Sequence, residues 1–394
     1  MLYFTKEKYD CTGCGACKAV CPVQCISFIS DEEGFSYPVA DSRCIDCGKC
    51  ERVCPIVYTK DYNKKDFKQY SVSGRHIDNK IWDRSASGGA FTAICEAYYN
   101  EGDAIFGARF DDVQVVHDYI NDINNIGMFR KSKYVQSNMD NNYHKIKELL
   151  GKGNKVIFSG TPCQVAGVRN YLGKDYDNLL CVDLVCHGVG SPGVFKKYIE
   201  HLEIKHGSEV KSFSFRNKKV KMGRLLEHVI VVELANGKKI YNEKDPYNTA
   251  FIQTLLIRPS CSECRFANIK RVGDLTIADF KKKHELLPES KELDNLSTII
   301  INSEKGQNVF KQLQKYMKIY SVDINDIIRT NPPLRVASKM NKNKEDFFYD
   351  LAKGESMDIV LRRYISSPKL HMKIWTSLPD RIRGAIKRRI RWLK

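Results

Sequence analysis

Two copies of one cysteine pattern near the N-terminus constrain this chain more than any other feature of its sequence. Both copies have the spacing C-x2-C-x2-C-x3-C-P, which is the bacterial ferredoxin spacing for a pair of [4Fe–4S] clusters. The first copy contains Cys11, Cys14, Cys17 and Cys21, and the second contains Cys44, Cys47, Cys50 and Cys54. In this arrangement the fourth cysteine of each run serves the other cluster, so Cys54 completes the first cluster and Cys21 the second. Zinc sites usually have paired C-x2-C knuckles instead, so the pattern predicts an electron carrier.

The remaining composition is typical of a globular protein in a reducing compartment. The chain has 394 residues, of which 42% are hydrophobic and 28% charged, enough for a small electron-transfer module and one or two larger domains. Its 15 cysteines are too clustered for a secreted disulfide scaffold, and thiolates that bind iron need reducing conditions. The N-terminal segment does not resemble a signal peptide, and no apolar run approaches the length of a membrane span. We therefore expect a cytoplasmic protein.

The formal net charge of +17 is unevenly distributed. Residues 1–60 contain 7 Lys and Arg against 8 Asp and Glu, so the rest of the chain carries the whole positive excess. An acidic module beside a basic body favours docking between them, and basic pockets favour phosphate-bearing cofactors. No nucleic-acid recognition motif accompanies the charge, so we expect no binding to nucleic acid.

The positive charge is densest at the C-terminal end. Residues 381–394 include seven Lys and Arg and no acid, with Ile382, Ile386 and Ile390 at helical spacing and Trp392 beside them. This pattern is typical of a basic amphipathic helix that lies on an anionic membrane surface, here the inner membrane face. A solvated tail, or a helix that packs on the body, is the alternative.

The order of the predicted elements indicates a mixed α/β or α+β architecture behind a ferredoxin-like two-cluster domain. Helices are predicted over 90–102, 143–153, 161–173, 193–207 and 305–317, and strands over 104–109, 114–119, 155–160, 179–186, 274–280 and 297–302. A hairpin is predicted over 228–242, with Asn236 and Gly237 at its turn.

Seven cysteines lie outside the two runs. Three occur inside apolar segments and are predicted to be core thiols: Cys25, Cys95 and Cys181. Four occur at turn-like positions: Cys163, Cys186, Cys261 and Cys264. Four thiols at the ends of elements can assemble a third [4Fe–4S] site from distant parts of the chain. A zinc site and unligated cysteines are the alternatives.

Two turns that precede helices are candidates for binding phosphate. The segment SGTPCQ (159–164) closes a strand and opens a helix, where free backbone N–H groups suit an anion, and SASGG (85–89) does the same. Such a turn is often only a helix cap. The sequence has no G-x-G-x-x-G and no Walker motif, which disfavours a Rossmann or P-loop nucleotide site.

Several motifs follow the ferredoxin runs in a fixed order. They are RSASGGAFTAI (84–94), KYVQS (133–137), SGTPCQVAGVRNYL (159–172), DLVCHGVGSP (183–192), CSECRFAN (261–268) and GDLTIADF (273–280). With them, the chain over about 1–330 resembles the beta-subunit family of coenzyme F420 hydrogenases and dehydrogenases. The resemblance implies an FAD enzyme with iron–sulfur clusters that exchanges electrons with a deazaflavin or another reducible small molecule.

The resemblance also implies roles for individual residues. Flavin contacts are implied at Ser87, Gly88, Gly89, Lys133, Gln136, Ser137, Gly160, Thr161 and Gln164, and a flavin-proximal cluster at Cys163, Cys186, Cys261 and Cys264. Asp279 matches the family's Asp-Phe segment and is a candidate catalytic residue, although Ala278 and Lys281 replace the Gly and Trp of that segment. His187 is a candidate proton donor near the flavin, or else a structural histidine at the end of a strand.

These observations together predict five segments and one function. The segments are a two-cluster ferredoxin domain (1–58), a linker (59–70), an FAD-binding part of the catalytic body (71–150), a second part of that body with the third cluster (151–330) and a helical, basic tail (331–394).

The predicted function is that of an oxidoreductase that passes electrons between the clusters and FAD. Its substrate is a small molecule such as a deazaflavin or, as members resembling this chain imply, a glycan-related metabolite. An electron-transfer subunit that feeds a partner enzyme is the alternative, and both require an external electron donor or acceptor.

Overall fold

The fold is that of a computed structural model. It describes residues 2, 5, 7–58, 67–139, 141–221, 224–288 and 294–366, without the side chains of Arg224 and His284. The predicted amphipathic helix (381–394) and most of the predicted linker lie outside the described residues. No helix in the part of the chain that the structure describes is long and apolar enough to cross a membrane.

The cysteine runs lie in a small N-terminal module. Its elements are α1 (Ala16–Val20), β1 (Ile26–Ser30), β2 (Ser36–Ala40) and α2 (Lys49–Arg52), and β1 pairs with β2 in antiparallel orientation. Each helix begins at a glycine between the second and third cysteines of its run. Gly15 has φ +85° and Gly48 has φ +65°, a left-handed backbone that glycine adopts at little cost. The same turn therefore shapes both cysteine loops.

The body is built on a larger mixed sheet. The strands of the body are β3 (Tyr70–His76), β4 (Ala104–Asp111), β5 (Gln114–Ile120), β6 (Val156–Gly160), β7 (Leu179–Leu184), β8 (Val210–Lys221), β9 (Arg224–Leu234), β10 (Lys239–Asn242), β11 (Leu275–Asp279), β12 (Ser297–Ile301) and β13 (Met317–Val322). Among the described residues, eight of them form one sheet in the order β13-β3-β12-β11-β7-β6-β4-β5, and β10-β9-β8 form a second, antiparallel sheet. The neighbours β4, β6, β7 and β11 run parallel, and the strands outside them are antiparallel.

The helices of the body are α3 (Asn79–Asp83), α4 (Ala90–Tyr98), α5 (Asn142–Gly151), α6 (Pro162–Leu172), α7 (Pro192–His206), α8 (Pro246–Ile252), α9 (Lys283–Leu286), α10 (Glu304–Leu313), α11 (Ile324–Thr330), α12 (Lys344–Ala352) and α13 (Met357–Tyr364). Helices cover both faces of the large sheet, with α5 and α6 on one face and α4 and α10 on the other. Alternate residues of β6 enter different cores: Val156 and Phe158 pack with α5 and α6, whereas Ile157 packs with α4 and α10. Both faces are buried because the parallel strands lie between helix layers.

The predicted mixed α/β architecture is confirmed, and so is each predicted helix and strand of the body. Their ends differ by a few residues; the helix predicted over 90–102, for example, ends at Tyr98. The Asn236–Gly237 turn does join two antiparallel strands, β9 and β10. Strand β8 was not predicted, because its second half is charged and exposed and lacks the apolar alternation of a half-buried strand.

The N-terminal module is docked on the body rather than separated from it. The Tyr143 hydroxyl of α5 donates to the Cys14 carbonyl at 2.6 Å, and Lys344 forms an ion pair with Glu33 at 2.5 Å. Gly34 meets Gly193 backbone to backbone, and a Cβ added at Gly34 would lie 2.6 Å from the Gly193 Cα. The cysteine loops are therefore held in a defined position against α5, α6 and α7.

Candidate electron-transfer site

Four thiols of the N-terminal module line one cavity. These are Cys11, Cys14, Cys17 and Cys54, the combination predicted for the first cluster, and they are called here the first thiol set. Burial, followed by the charge of Cys54, raises the pKa of Cys14 to about 12. Thiols packed together in this way need a positive centre in order to ionise, and iron ions would supply it. The donor set fits an iron–sulfur cluster.

The second thiol set (Cys21, Cys44, Cys47 and Cys50) lies closer to the surface. Cys44 and Cys47 are exposed, and Cys21 and Cys50 are half-buried. Cys25, predicted to be a core thiol, is indeed buried, but its Sγ lies 3.5 Å from the Sγ of Cys21. This neighbour was not predicted from the sequence. The other two predicted core thiols, Cys95 and Cys181, are fully buried.

The four later cysteines come together from three parts of the body. Cys163 lies in the first turn of α6, Cys186 follows β7, and Cys261 and Cys264 flank a short turn; they are called the third thiol set. Burial raises the pKa of Cys186 well above its ordinary value, and the charges of Cys261, Cys163 and Cys264 raise it further. The four thiols are thus close enough for their charges to interact.

No three Cys, His, Asp or Glu side chains within the described ranges converge tightly enough to hold one metal ion. In a [4Fe–4S] cluster each thiolate binds a different iron, so the four thiols need not share one point. The choice between iron–sulfur and zinc at the third thiol set stays a prediction.

Helix α6 connects the first and third thiol sets. It carries Cys163 in its first turn, and one turn later Gly167 faces the N-terminal module. A Cβ added at Gly167 would lie 3.2 Å from the Cys14 Sγ, so the absence of a side chain lets Cys14 approach the helix closely. The charge of Cys163 accordingly raises the pKa of Cys14. One rigid element therefore positions a thiol from each set.

A buried arginine that was not predicted from the sequence bridges the module and the body. Arg258 is 1% exposed; its Nε donates to the Cys11 carbonyl at 2.7 Å, and its Nη2 donates to the Ser36 carbonyl at 3.0 Å. Its Nη1 donates to the Gln136 Oε1 at 2.8 Å, and its guanidinium lies 4.2 Å from the centre of the Tyr37 ring.

Gln136, a predicted flavin contact, lies against the first cysteine loop. Its Nε2 donates to the Thr12 carbonyl at 3.0 Å, while its Oε1 accepts from Arg258. Both ends of the amide are thus used in holding this loop. A flavin contact at Gln136 stays a prediction, and the structure gives the residue another role.

The turn at the start of α6 is a capping box. The Thr161 backbone N–H donates to the Gln164 Oε1 at 3.0 Å, and the Gln164 Nε2 donates to the Ser137 Oγ at 2.9 Å. A Cβ at Gly160 would lie 3.2 Å from the Gln164 Oε1. All four residues are predicted flavin contacts, and the structure brings them together in one network. Their contact with a flavin stays a prediction.

His117 extends this network and was not predicted from sequence. Its Nδ1 lies 2.8 Å from the Ser137 Oγ, and its Nε2 lies 3.0 Å from the Ser159 carbonyl. Because the carbonyl can only accept, Nε2 carries the proton and Nδ1 accepts from Ser137. Burial lowers the pKa of His117 from 6.5 to about 4, so the ring is neutral. An isolated histidine in a strand gives no local signal of such a role.

The lowered pKa of His117 predicts a pH-dependent stability. Between pH 6.5 and about pH 4, His117 binds a proton in the unfolded chain but not in the folded chain. The free energy of unfolding therefore falls as the pH drops through this range. We expect a loss of about 2 kcal/mol from this residue between about pH 8 and about pH 5. Anaerobic urea unfolding should show a flatter pH dependence in His117→Gln. The exposed His144→Gln should keep the wild-type dependence, and an equal dependence in all three proteins would contradict the prediction.

The turn formed by Ser87, Gly88 and Gly89, called here the SGG turn, joins α4 to the end of the sheet. The Ser87 hydroxyl donates to the Leu296 carbonyl at 2.7 Å, and the His76 N–H donates to the Gly88 carbonyl at 2.7 Å. Gly89, with φ +87°, begins α4. The structure thus gives the turn the role of a helix cap, and its predicted contact with flavin remains a prediction.

Three lysines, of which Lys218 contacts this turn, donate hydrogen bonds only to neutral oxygens. Lys218 donates to the Ser87 carbonyl at 2.9 Å, and Lys133 donates to the Arg130 carbonyl at 2.8 Å. Burial lowers the pKa of each to about 7. Lys131, which lowers the pKa of Lys133 further, contacts only neutral side chains of β8. No carboxylate in the described part of the chain lies within salt-bridge distance of these three lysines.

Asp279, a predicted catalytic residue, is held by an arginine. Arg216 donates from Nη1 to Oδ2 at 2.8 Å and from Nη2 to Oδ1 at 3.2 Å, and it also donates to the Ala86 carbonyl at 3.0 Å. Burial would raise the pKa of Asp279, but the charge and hydrogen bonds of Arg216 outweigh it and lower the pKa. An ionised carboxylate in a bidentate ion pair is poorly suited to proton transfer. The geometry favours a role in fixing Arg216 against the SGG turn.

His187, the other predicted catalytic residue, has contacts typical of a structural histidine. Its Nε2 donates to the Ile252 carbonyl at 3.2 Å, and the Ser338 hydroxyl donates to the His187 carbonyl at 2.6 Å. Burial lowers its pKa. The Nδ1 atom lies 3.2 Å from the Ser338 Oγ, so both ring nitrogens have neighbours in the body. The role of His187 as a proton donor stays a prediction.

Comparison with known proteins gives two matches to family models. Residues 10–57 match a 4Fe-4S dicluster domain, and residues 153–327 match the model that describes the C terminus of the beta subunit of coenzyme F420 hydrogenase/dehydrogenase. The chain contains both of these domains. It is thus an iron–sulfur electron-transfer protein related to F420 hydrogenase beta subunits, which confirms the predicted resemblance. The predicted FAD-binding part (71–150) precedes the second match.

Among solved structures, the chain is similar to a chain of the F420-reducing [NiFe] hydrogenase complex from Methanosarcina barkeri, studied by xenon derivatisation. The two share 20% sequence identity over 76% of this chain and 93% of that chain, with a TM-score of 0.44. A search of curated proteins finds no match.

Proposed function

We propose that this F420 beta-subunit relative is an oxidoreductase that depends on FAD and on iron–sulfur clusters. Electrons would pass between the two ferredoxin clusters, a third cluster and FAD, to reduce or oxidise a small molecule such as a deazaflavin or a glycan-related metabolite. The observation that carries the proposal is the position of α6, which holds Cys163 of the third thiol set and packs through Gly167 against Cys14 of the first.

The thiol sets differ in exposure in a way that suits an electron route between the surface and the interior of the body. Cys44 and Cys47 of the second set are exposed, so an external donor or acceptor can reach that cluster. Cys11 and Cys14 of the first set are buried, and the third set lies beyond them in the body. Electron transfer requires short separations, and the contact between Cys14 and α6 provides one. The route is equally usable in either direction.

Lys131, Lys133 and Lys218 fit the pyrophosphate of FAD. An ammonium group that has lost water and has no carboxylate within salt-bridge distance is costly, and a bound phosphate would compensate it. Lys131, Lys133 and Lys218 would hold the phosphates, and the Ser87 carbonyl keeps Lys218 in place. When bound, FAD supplies the conversion between the one-electron chemistry of clusters and two-electron chemistry.

Cofactor content provides the first test. The anaerobically purified chain should contain about 12 iron atoms and one FAD, since three clusters hold about four irons each. About 12 irons without any flavin would support the alternative, an electron-transfer subunit that feeds a partner enzyme. Such a subunit should reduce a dye but no metabolite.

Lys218→Met tests the predicted FAD site. We expect FAD affinity to fall about tenfold or more, because a charge-assisted hydrogen bond contributes roughly 1.5–3 kcal/mol. The neighbouring Lys219→Met is the control, since Lys219 lies over Tyr241 instead. Fluorescence titration of the flavin-depleted protein measures both. Equal affinity in the two variants would remove Lys218 from the site.

A further inference from the structure

Four Lys and Arg residues in the described part of the chain are at most 4% exposed, and one of the four has no carboxylate partner. They are Arg216, Arg258, Arg271 and Lys344. Arg216 pairs with Asp279, Arg271 with Asp183 and Lys344 with Glu33. Arg258 donates only to two backbone carbonyls and to the amide oxygen of Gln136.

This uncompensated charge is costly where it lies. Moving a guanidinium out of water costs several kcal/mol unless a negative charge compensates it. The rings of Tyr37 and Phe35, at 4.2 and 5.4 Å from the guanidinium carbon, offset a part of the cost by cation–π attraction. Neutral oxygens satisfy its N–H groups but leave its charge unbalanced.

Arg258 contacts cysteines of two thiol sets. Its Nε donates to the Cys11 carbonyl of the first set, and its own carbonyl accepts from the Cys261 N–H of the third set at 2.9 Å. Its positive charge also acts on Cys163 and Cys261. Arg258 therefore stands between the two places where clusters are proposed. A [4Fe–4S] cluster with four thiolates has a net charge of about −2 when oxidised and about −3 when reduced. Either cluster would supply the missing negative charge.

We propose that Arg258 is the shared counter-charge of the first and third clusters and raises the reduction potential of both. Reduction adds one electron to a cluster and makes it more negative, so a fixed positive charge stabilises the reduced form more than the oxidised form. Because one guanidinium acts on both clusters, it raises both potentials together and leaves the difference between them largely unchanged. Arg258 is a positioning and tuning residue and does not itself react. The effect on the third cluster rests on the proposed function; the effect on the first does not.

Redox titration of the full chain, reduced by dithionite and followed by electron paramagnetic resonance, tests the proposal. In Arg258→Met the reduced-to-oxidised ratio of the first and third clusters, at the wild-type midpoint potential, should fall about tenfold. Tenfold corresponds to about 59 mV for a one-electron couple. Arg258→Lys keeps the charge and should stay within about twofold of wild type. The second cluster, bound by the exposed Cys44 and Cys47, should not change and serves as the internal control.

A second variant covers the case in which Arg258→Met fails to fold. Gln136→Glu keeps the arginine and places a carboxylate next to its Nη1, which should lower the same two potentials. An unchanged first cluster in both neutralising variants would overturn the proposal, and so would an equal shift of all three clusters. If Arg258→Lys shifts as far as Arg258→Met, shape rather than charge is responsible, and the proposal is wrong. About 8 irons in wild type would refute the third cluster, while the first cluster would still report on Arg258.

Discussion

Cys261→Ala should lower the iron content from about 12 to about 8 atoms per chain, because the third cluster loses one of its four ligands. The two ferredoxin clusters should remain reducible by dithionite, but they should no longer reduce the bound FAD. Their ligands lie in the N-terminal module, and Cys261 lies in the body. Iron analysis and stopped-flow spectroscopy under anaerobic conditions measure the two effects.

Cys95→Ala is the matched control for that experiment. Cys95 is fully buried within α4, so the variant also removes a buried sulfur but should keep about 12 irons. If Cys261→Ala also keeps about 12 irons, the third thiol set holds no cluster. About 8 irons and one zinc ion in wild type would establish the zinc alternative instead.

Gly88→Ala should destabilise the chain by about 3 kcal/mol, since the added methyl has no room. Its Cβ would lie 2.3 Å from the Gly74 carbonyl oxygen and 2.4 Å from the Ser297 nitrogen. Both atoms belong to the backbone of neighbouring strands, β3 and β12, which cannot move apart without breaking their pairing. Anaerobic urea unfolding measures the change.

Gly151→Ala provides the comparison, because a Cβ there meets nothing within 4 Å. We expect its free energy of unfolding to stay within about 0.5 kcal/mol of wild type. Comparison of the two variants also distinguishes a role of the SGG turn in flavin binding from a role in packing against the sheet. If Gly88→Ala kept wild-type stability but lost FAD affinity, the glycine would serve the flavin and not the packing against the sheet.

Much of the fold could be predicted because its signals are local. The parallel strands β6 and β7 are short apolar runs followed by a turn, and burial on both faces makes such runs recognisable. β8 was missed because its pairing with β9 tolerates charged residues at an exposed end. Strand β13 lies at the edge of the sheet, where little apolar periodicity is needed. Strand β3 lies inside the sheet and was missed because Ser71, Ser73 and Gly74 occupy buried positions in place of apolar residues.

In the candidate site too, local motifs could be predicted from the sequence and contacts between distant residues could not. The Thr161–Gln164 pair lies within one turn of helix, so its motif was visible in the sequence, where a helix cap was the alternative to phosphate binding. Arg258 and His117 were invisible, because their partners are far along the chain. Arg258 binds the carbonyl of Cys11 across 247 positions, and no local pattern records such a contact.

The sequence by itself determined that this chain carries iron–sulfur clusters, because a cubane needs several cysteines on one tight loop and that requirement is written in their spacing. It also placed the later cysteines at the ends of elements. Only the tertiary structure decided that Cys25 lies against Cys21, that α6 links Cys14 to Cys163, and that Arg258 is buried between two thiol sets without a carboxylate. Those relations arise when separate elements pack together, so they depend on distances through space that chain order does not contain.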